Sequence, residues 1–174
     1  MKPHLRRDLK IGMELKDDKM GQSIEKIAEK EGFRKQDKRH ITILGGSSHK
    51  SFLKILERYS EKEQKDLLNN IEKILKSLKW KFKPISGEIY KVRRRGHFDV
   101  PSITESRQSY IQMIHMPDMD KFYKKFNSIL KTNFPTPVPH ITLFTKGERK
   151  NPKYYGIGIS SYKNFKKMFP KKVS

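Results

Sequence analysis

The chain has 174 residues, with 40 Lys and Arg against 19 Asp and Glu, a net charge of +21 and a pI near 10.1. It has no cysteine, which excludes disulfides and thiolate metal sites. No apolar run suits a signal peptide or a membrane span, so an intracellular, cytoplasmic protein without membrane partners is expected. The charge favours polyanions, nucleic acid above all.

The length suits one domain or two small lobes sharing a core. Residues 1–10 are basic and unpatterned and read as a loose lead-in. Residues 11–16 alternate and predict a first strand. Residues 20–31 predict a helix with Ile24, Ile27 and Ala28 as its apolar stripe and Gly32 just past its end. A basic link, Arg34 to Arg39, leads into His-Ile-Thr-Ile-Leu at 40–44, a β-branched run that predicts a strand. Gly45-Gly46 breaks it, and Ser47-Ser48 is expected to cap a helix that buries Phe52, Leu53, Ile55 and Leu56. Ser60 and Glu63 form a capping-box pattern that opens a longer helix to about Leu78. Its stripe is Leu67, Leu68, Ile71, Ile74, Leu75 and Leu78, at helical spacing.

Trp80 to Phe82 and Ile85 to Val92 alternate and predict one or two strands punctuated by Pro84. Arg93-Arg94-Arg95 and the aperiodic stretch to Ser106 read as a basic loop. Tyr110 to Met116 predicts a strand, with Tyr110, Gln112, Ile114 and Met116 on one face and Ile111, Met113 and His115 on the other. Asp118 is expected to cap a helix to about Lys131 that buries Phe122, Phe126, Ile129 and Leu130. Pro135, Pro137 and Pro139 then favour an extended approach to His-Ile-Thr-Leu-Phe at 140–144. Tyr154 to Ile159 looks like a last strand. Its Gly156-Ile-Gly158 lacks the third glycine and following helix of a dinucleotide fingerprint. A short helix at 161–168 and a basic tail end the chain.

The two His-Ile-Thr segments stand 100 residues apart. Each follows a helix and an extended stretch, which points to two related lobes, each a small sheet backed by helices. Side chains alternate along a strand, so each copy presents a histidine and a threonine on one face and sends Ile41 or Ile141 into a core. Two copies facing each other would make one site of two imidazoles and two hydroxyls.

Such a site suits phosphodiester cleavage. The reaction needs a base for the attacking oxygen and an acid for the leaving oxygen, and histidine serves either role near neutral pH. Thr42 and Thr142 can donate to the non-bridging oxygens. No carboxylate cluster suits magnesium, and His49, His97 and His115 lack zinc-ligand spacing, so no metal is expected. Arg93, Arg94, Arg95 and Arg107 are candidates for phosphate contacts, Tyr110 and Tyr155 for base stacking, and Lys146 for an approach to the site. His49 and His97 read as surface residues and His115 as structural.

These residues resemble the two-histidine (2H) phosphoesterase family, whose signature is a pair of His-x-Thr/Ser-x motifs with apolar fourth positions. His40-Ile41-Thr42-Ile43 and His140-Ile141-Thr142-Leu143 match both copies. The resemblance implies an α+β fold over a single domain: a bilobal, pseudo-symmetric pair of antiparallel sheets flanked by helices around a central cleft. It implies His40 and His140 as catalytic residues, Thr42 and Thr142 as phosphate ligands, and no metal. Substrates of the family include 2′,3′-cyclic phosphates, 2′–5′ RNA linkages and small cyclic nucleotides. The charge favours RNA over a small nucleotide. The other readings are a phosphodiesterase that degrades signalling nucleotides or oligonucleotides, and a non-catalytic RNA-binding protein of the same fold. A monomer is expected.

Overall fold

Both His-Ile-Thr segments are strands in the computed structural model, which describes residues 2–16, 19–36, 38–95, 106–147 and 157–173, with Arg95 by its backbone alone. In chain order the elements are β1 (His4–Leu5), β2 (Ile11–Glu14), α1 (Glu25–Lys30), β3 (Arg34–Lys35), β4 (His40–Leu44), α2 (Gly46–Leu56) and α3 (Glu61–Ser77). There follow β5 (Lys83–Arg95), β6 (Ser106–His115), α4 (Asp118–Leu130), β7 (His140–Gly147), α5 (Tyr162–Lys166) and β8 (Lys171–Lys172). The fold is α+β, with two antiparallel sheets. A three-stranded sheet has the order β1-β2-β4, and a five-stranded sheet the order β3-β7-β6-β5-β8.

The alternation of the motifs is realised as expected. Ile41, Ile43, Ile141 and Leu143 are fully buried, whereas His40 and Thr42 are exposed and His140 and Thr142 half-buried. One hydrophobic core holds these four residues together with Phe52, Ile71, Phe122 and Phe126, so both sheets and helices α2, α3 and α4 share it. A smaller core on the other face of the five-stranded sheet contains Val92, Ile111, Ile157, Ile159, Phe165 and Met168. Tyr110, Ile114 and Met116 face the first core, and Ile111 faces the second, as the alternation of that strand predicts.

The link between α1 and β4 joins the sheets. Arg34 and Lys35 pair with Thr145 and Phe144 of β7, and the Gln36 backbone N–H donates to the Leu143 carbonyl at 3.0 Å. Four residues later the chain reaches His40, so the covalent span from that bond to the first motif is at most roughly 14 Å. β4 and β7 are thereby held in contact.

Several local expectations are corrected. Residues 4–5 pair with β2, so the start of the chain is not a loose lead-in. The helix over 20–31 is a single 3-10 turn followed by α1, and Ile27 is 48% exposed. Gly32 does take the left-handed conformation, φ +76°, that ends α1. Helix α2 starts one residue before Ser47, with Gly45 at its N-cap and no side-chain cap. The capping box of Ser60 and Glu63 forms as expected. Trp80 to Phe82 is not a strand: Trp80 takes φ +54° and its indole N–H donates to the Leu75 carbonyl at 2.8 Å. Arg93 to Arg95 belong to β5, paired with β6, and not to a loop. Residues 157–159 carry no strand, and the remainder of the expected last strand lies outside the described residues. The basic tail forms β8 against β5. Among the described residues no helix is long and apolar enough to cross a membrane.

Asp118 does not cap α4, since Pro117 holds the N-cap. Its buried carboxylate accepts instead from the Trp80 backbone N–H at 2.9 Å and from Lys121 at 3.0 Å, tying the α3–β5 connection to α4. Asp118→Ala strands that N–H and is expected to cost about 1–3 kcal/mol. Urea unfolding followed by the fluorescence of Trp80, the chain's single tryptophan, reads the loss directly, and Asp118→Asn, which keeps an acceptor, loses less.

Candidate functional site

The polar faces of the two motif strands meet in one pocket. His40, Thr42, His140 and Thr142 all line it, and its volume is about 230 Å³. Its walls come from the turn into α2 (Gly45 to Ser48), from Tyr123 of α4, from Pro137, and from residues 157–160. Lys10 and Gln36 complete the lining. None of the described lining residues carries a carboxylate. No group of three or more His, Cys, Asp or Glu among the described residues could hold a metal ion.

Each imidazole turns its Nδ1 toward the carbonyl two residues upstream, closely at His140 and only at the limit of hydrogen-bonding distance at His40. His140 Nδ1 lies 2.7 Å from the Val138 carbonyl oxygen, and His40 Nδ1 lies 3.5 Å from the Lys38 carbonyl oxygen. A carbonyl only accepts, so at His140 the hydrogen belongs on Nδ1 and the lone pair on Nε2. The environments differ. Burial pushes the His140 pKa below its ordinary 6.5 and the neighbouring His40 acts in the same sense, while the backbone of Val138 and Ile157 opposes them. His140 therefore favours the neutral ring.

Neighbouring elements hold the motif strands in place. The Tyr123 hydroxyl donates to the Ile43 carbonyl at 2.8 Å from behind β4. The Gln36 side-chain amide donates to Thr145 Oγ1 at 2.7 Å, which fixes this residue between the lobes. His49 Nε2 donates to the Asp8 carbonyl at 2.7 Å, and the Asp8 carboxylate takes Lys10 Nζ at 3.0 Å. The turn between β1 and β2 is thus pinned to the first turns of α2, which brings Lys10 to the pocket. At the start of α2, a Cβ on Gly45 would lie 2.7 Å from Thr42 Cγ2, so only glycine lets the helix begin this close to the motif threonine.

Of the residues expected from sequence, the four motif side chains are brought together and the others are not. Arg107 is 1% exposed and does not line the pocket. Tyr110 is buried against Phe33 and Phe144, its hydroxyl donating to Glu31 at 2.8 Å, so its ring is not available for stacking on a base. Lys146 Nζ donates to the Glu31 carbonyl and lies 5.9 Å from the Phe33 ring centroid, away from the pocket. Arg93 and Arg94 line a different concavity. The Arg95 side chain, Tyr155 and His97 lie outside the described residues. His49 is buried rather than a surface residue, and His115 is exposed at the end of β6. Lys10, Gln36 and Tyr123 were not singled out by the sequence. A comparison with protein-family models, with curated proteins and with solved structures found no match.

Two expectations follow from this geometry. In an NMR titration, the His140 ring has a midpoint below 6.5, and His40→Ala raises it by removing the neighbouring imidazole. Since the unfolded chain takes up that proton more readily than the folded one, His140 contributes stability above pH 6.5 that is lost as the pH falls from there through the folded midpoint. Gly45→Ala forces Thr42 or the start of α2 to move and is expected to cost about 1–3 kcal/mol in a thermal melt, as overpacking does.

Proposed function

We propose that the chain is a phosphodiesterase that cleaves RNA-type 2′,3′-cyclic phosphates or 2′–5′ phosphodiester bonds by acid–base catalysis between His40 and His140. One observation carries this reading: a single pocket is lined by both histidines and both threonines. The resemblance of the two motifs to the two-histidine phosphoesterases supports the same chemistry.

Burial favours the neutral form of His140, which suits it to act as the base. In hydrolysis of a cyclic phosphate, its Nε2 takes a proton from the attacking water as the new P–O bond forms. The bond from phosphorus to one ribose oxygen breaks, and His40 as imidazolium gives its proton to that oxygen. On a 2′–5′ linkage the neighbouring 3′-hydroxyl is the nucleophile, the product is a 2′,3′-cyclic phosphate, and the 5′-oxygen leaves with the proton from His40. In the reverse direction the two roles exchange.

Charge growing on the non-bridging oxygens is met by the Thr42 and Thr142 hydroxyls. The backbone N–H groups at the start of α2, an 11-residue helix whose first turn lines the pocket, add a favourable dipole. Lys10 is the cation at the rim. The scheme supplies base, acid and oxyanion donors from side chains and backbone, so it requires no metal.

The test is a substrate panel assayed in EDTA, containing a 2′,3′-cyclic-phosphate RNA, a 2′–5′ dinucleotide, a 3′–5′ dinucleotide and cyclic mononucleotides. Cleavage of one of the first two is expected. His40→Ala and His140→Ala, each verified as folded, are expected to lower turnover by about 10²–10⁴-fold, and Thr42→Ala or Thr142→Ala by roughly 10²-fold. Failure to cleave any member, or full activity in the double histidine variant, would reject the catalytic reading.

A further inference from the structure

Among the described lining residues of the motif pocket, Lys10 is the one Lys or Arg. A second, larger concavity of about 700 Å³ is lined by Arg93, Arg94, Asn164, Lys167, Met168 and Phe169. Half of the described lining residues are cationic, and the apolar part is unusual. Phe169 is 82% exposed and Tyr162 61%, the two most exposed large hydrophobic side chains among the described residues. Tyr162 opens α5 and Phe169 follows its end, and the exposed positions of that helix also carry Lys163 and Lys166.

The exposed phenylalanine is not on a loose end. The Met168 carbonyl accepts from the Arg93 backbone N–H at 2.9 Å, the Val173 N–H donates to the Ile89 carbonyl at 2.9 Å, and Lys171 and Lys172 pair with β5. Phe169 sits between these anchors at φ +50°, a conformation that side-chain-bearing residues avoid. The backbone therefore holds an aromatic ring out to solvent among cations, while Met168 beneath it is buried. One hydrogen bond joins the linings of the two cavities: Arg94 Nη1 donates at 3.3 Å to the carbonyl of Gly158, a lining residue of the motif pocket.

Cations interleaved with a solvent-facing aromatic ring fit a single-stranded nucleic acid, whose unstacked bases and phosphates each need a partner. We propose that this groove is a subsite for single-stranded RNA, in which a base stacks on Phe169 while flanking phosphates meet Arg93, Arg94 and Lys167. The substrate is then an oligonucleotide whose end reaches the motif pocket past Gly158. That last statement rests on the phosphodiesterase reading; the binding itself does not.

The test measures fluorescence anisotropy of a labelled 12-nucleotide single-stranded RNA and of a labelled dinucleotide with the full chain. The 12-mer is expected to bind more tightly, and Phe169→Ala to narrow the gap by about fivefold or more, the loss of one base stack. Arg93→Gln/Lys167→Gln, two exposed positions, is expected to flatten the dependence of log affinity on log salt by roughly 0.7 per phosphate contact removed. Equal affinity of Phe169→Ala and the unmodified chain for the 12-mer would overturn the proposal. So would competition by duplex RNA or polyglutamate as effective as that by single strand, since neither offers an unstacked base. If no panel substrate is cleaved but Phe169→Ala still weakens 12-mer binding, the catalytic reading fails and the subsite stands. Cleavage together with a 12-mer affinity indifferent to Phe169 gives the converse.

Discussion

The backbone pairing of residues 34–36 with β7 sets the distance between the two motifs. A chain that needs two side chains from strands 100 residues apart must bring those strands together before either can act. Here the segment leading into the first motif is itself hydrogen-bonded to the strand of the second, so little free chain remains between them. The pairing is made by backbone groups, which is why a run as polar as Arg34-Lys35-Gln36 can make it, and the Gln36 amide adds its bond to Thr145. Lysine and arginine on an edge strand also discourage further strands from adding there. Lys35 gains a partner in Glu25 of α1 at 2.8 Å, and the other face of β7 is secured by the shared core.

The two motifs share a geometry but not an environment. β4 is an edge strand of the smaller sheet, and its histidine is exposed. β7 lies between β3 and β6, and its histidine sits by the backbone of Ile157, where burial favours the neutral ring. Acid–base chemistry with two identical side chains is helped by such a difference, because it favours one ring over the other as the base. The inequality of the sheets, three strands against five, thus gives the two histidines different surroundings.

The motif strands were legible in the sequence because alternation is local: Ile41 and Ile141 announce the buried face within three residues. The Ser60–Glu63 box was legible for the same reason. Arg107 and Tyr110 were not, because β6 is covered by a core on each side, and on such a strand no face is reserved for solvent. Lys10, Gln36 and His49 escaped for a different reason. Their placement depends on partners 41 or 109 positions away, as in His49 with Asp8 and Gln36 with Thr145, and no local pattern encodes a partner at that distance.

The distribution of charge fits the proposed chemistry. A general acid near neutral pH must keep a proton on an imidazole, and a fixed guanidinium beside it would drive that proton off. The motif pocket has Lys10 as its described Lys or Arg, and Asp8 pairs with that lysine at 3.0 Å, which weakens its field. On that proposal, stabilisation of the phosphate would fall to hydroxyls and backbone N–H groups, dipoles that bind an anion without adding net positive charge beside the rings. A chain of net charge +21 can still attract a polyanion from the rest of its surface. Under the proposed chemistry, attraction of the substrate and proton transfer would thus fall to different parts of the surface, with burial favouring the neutral ring at His140.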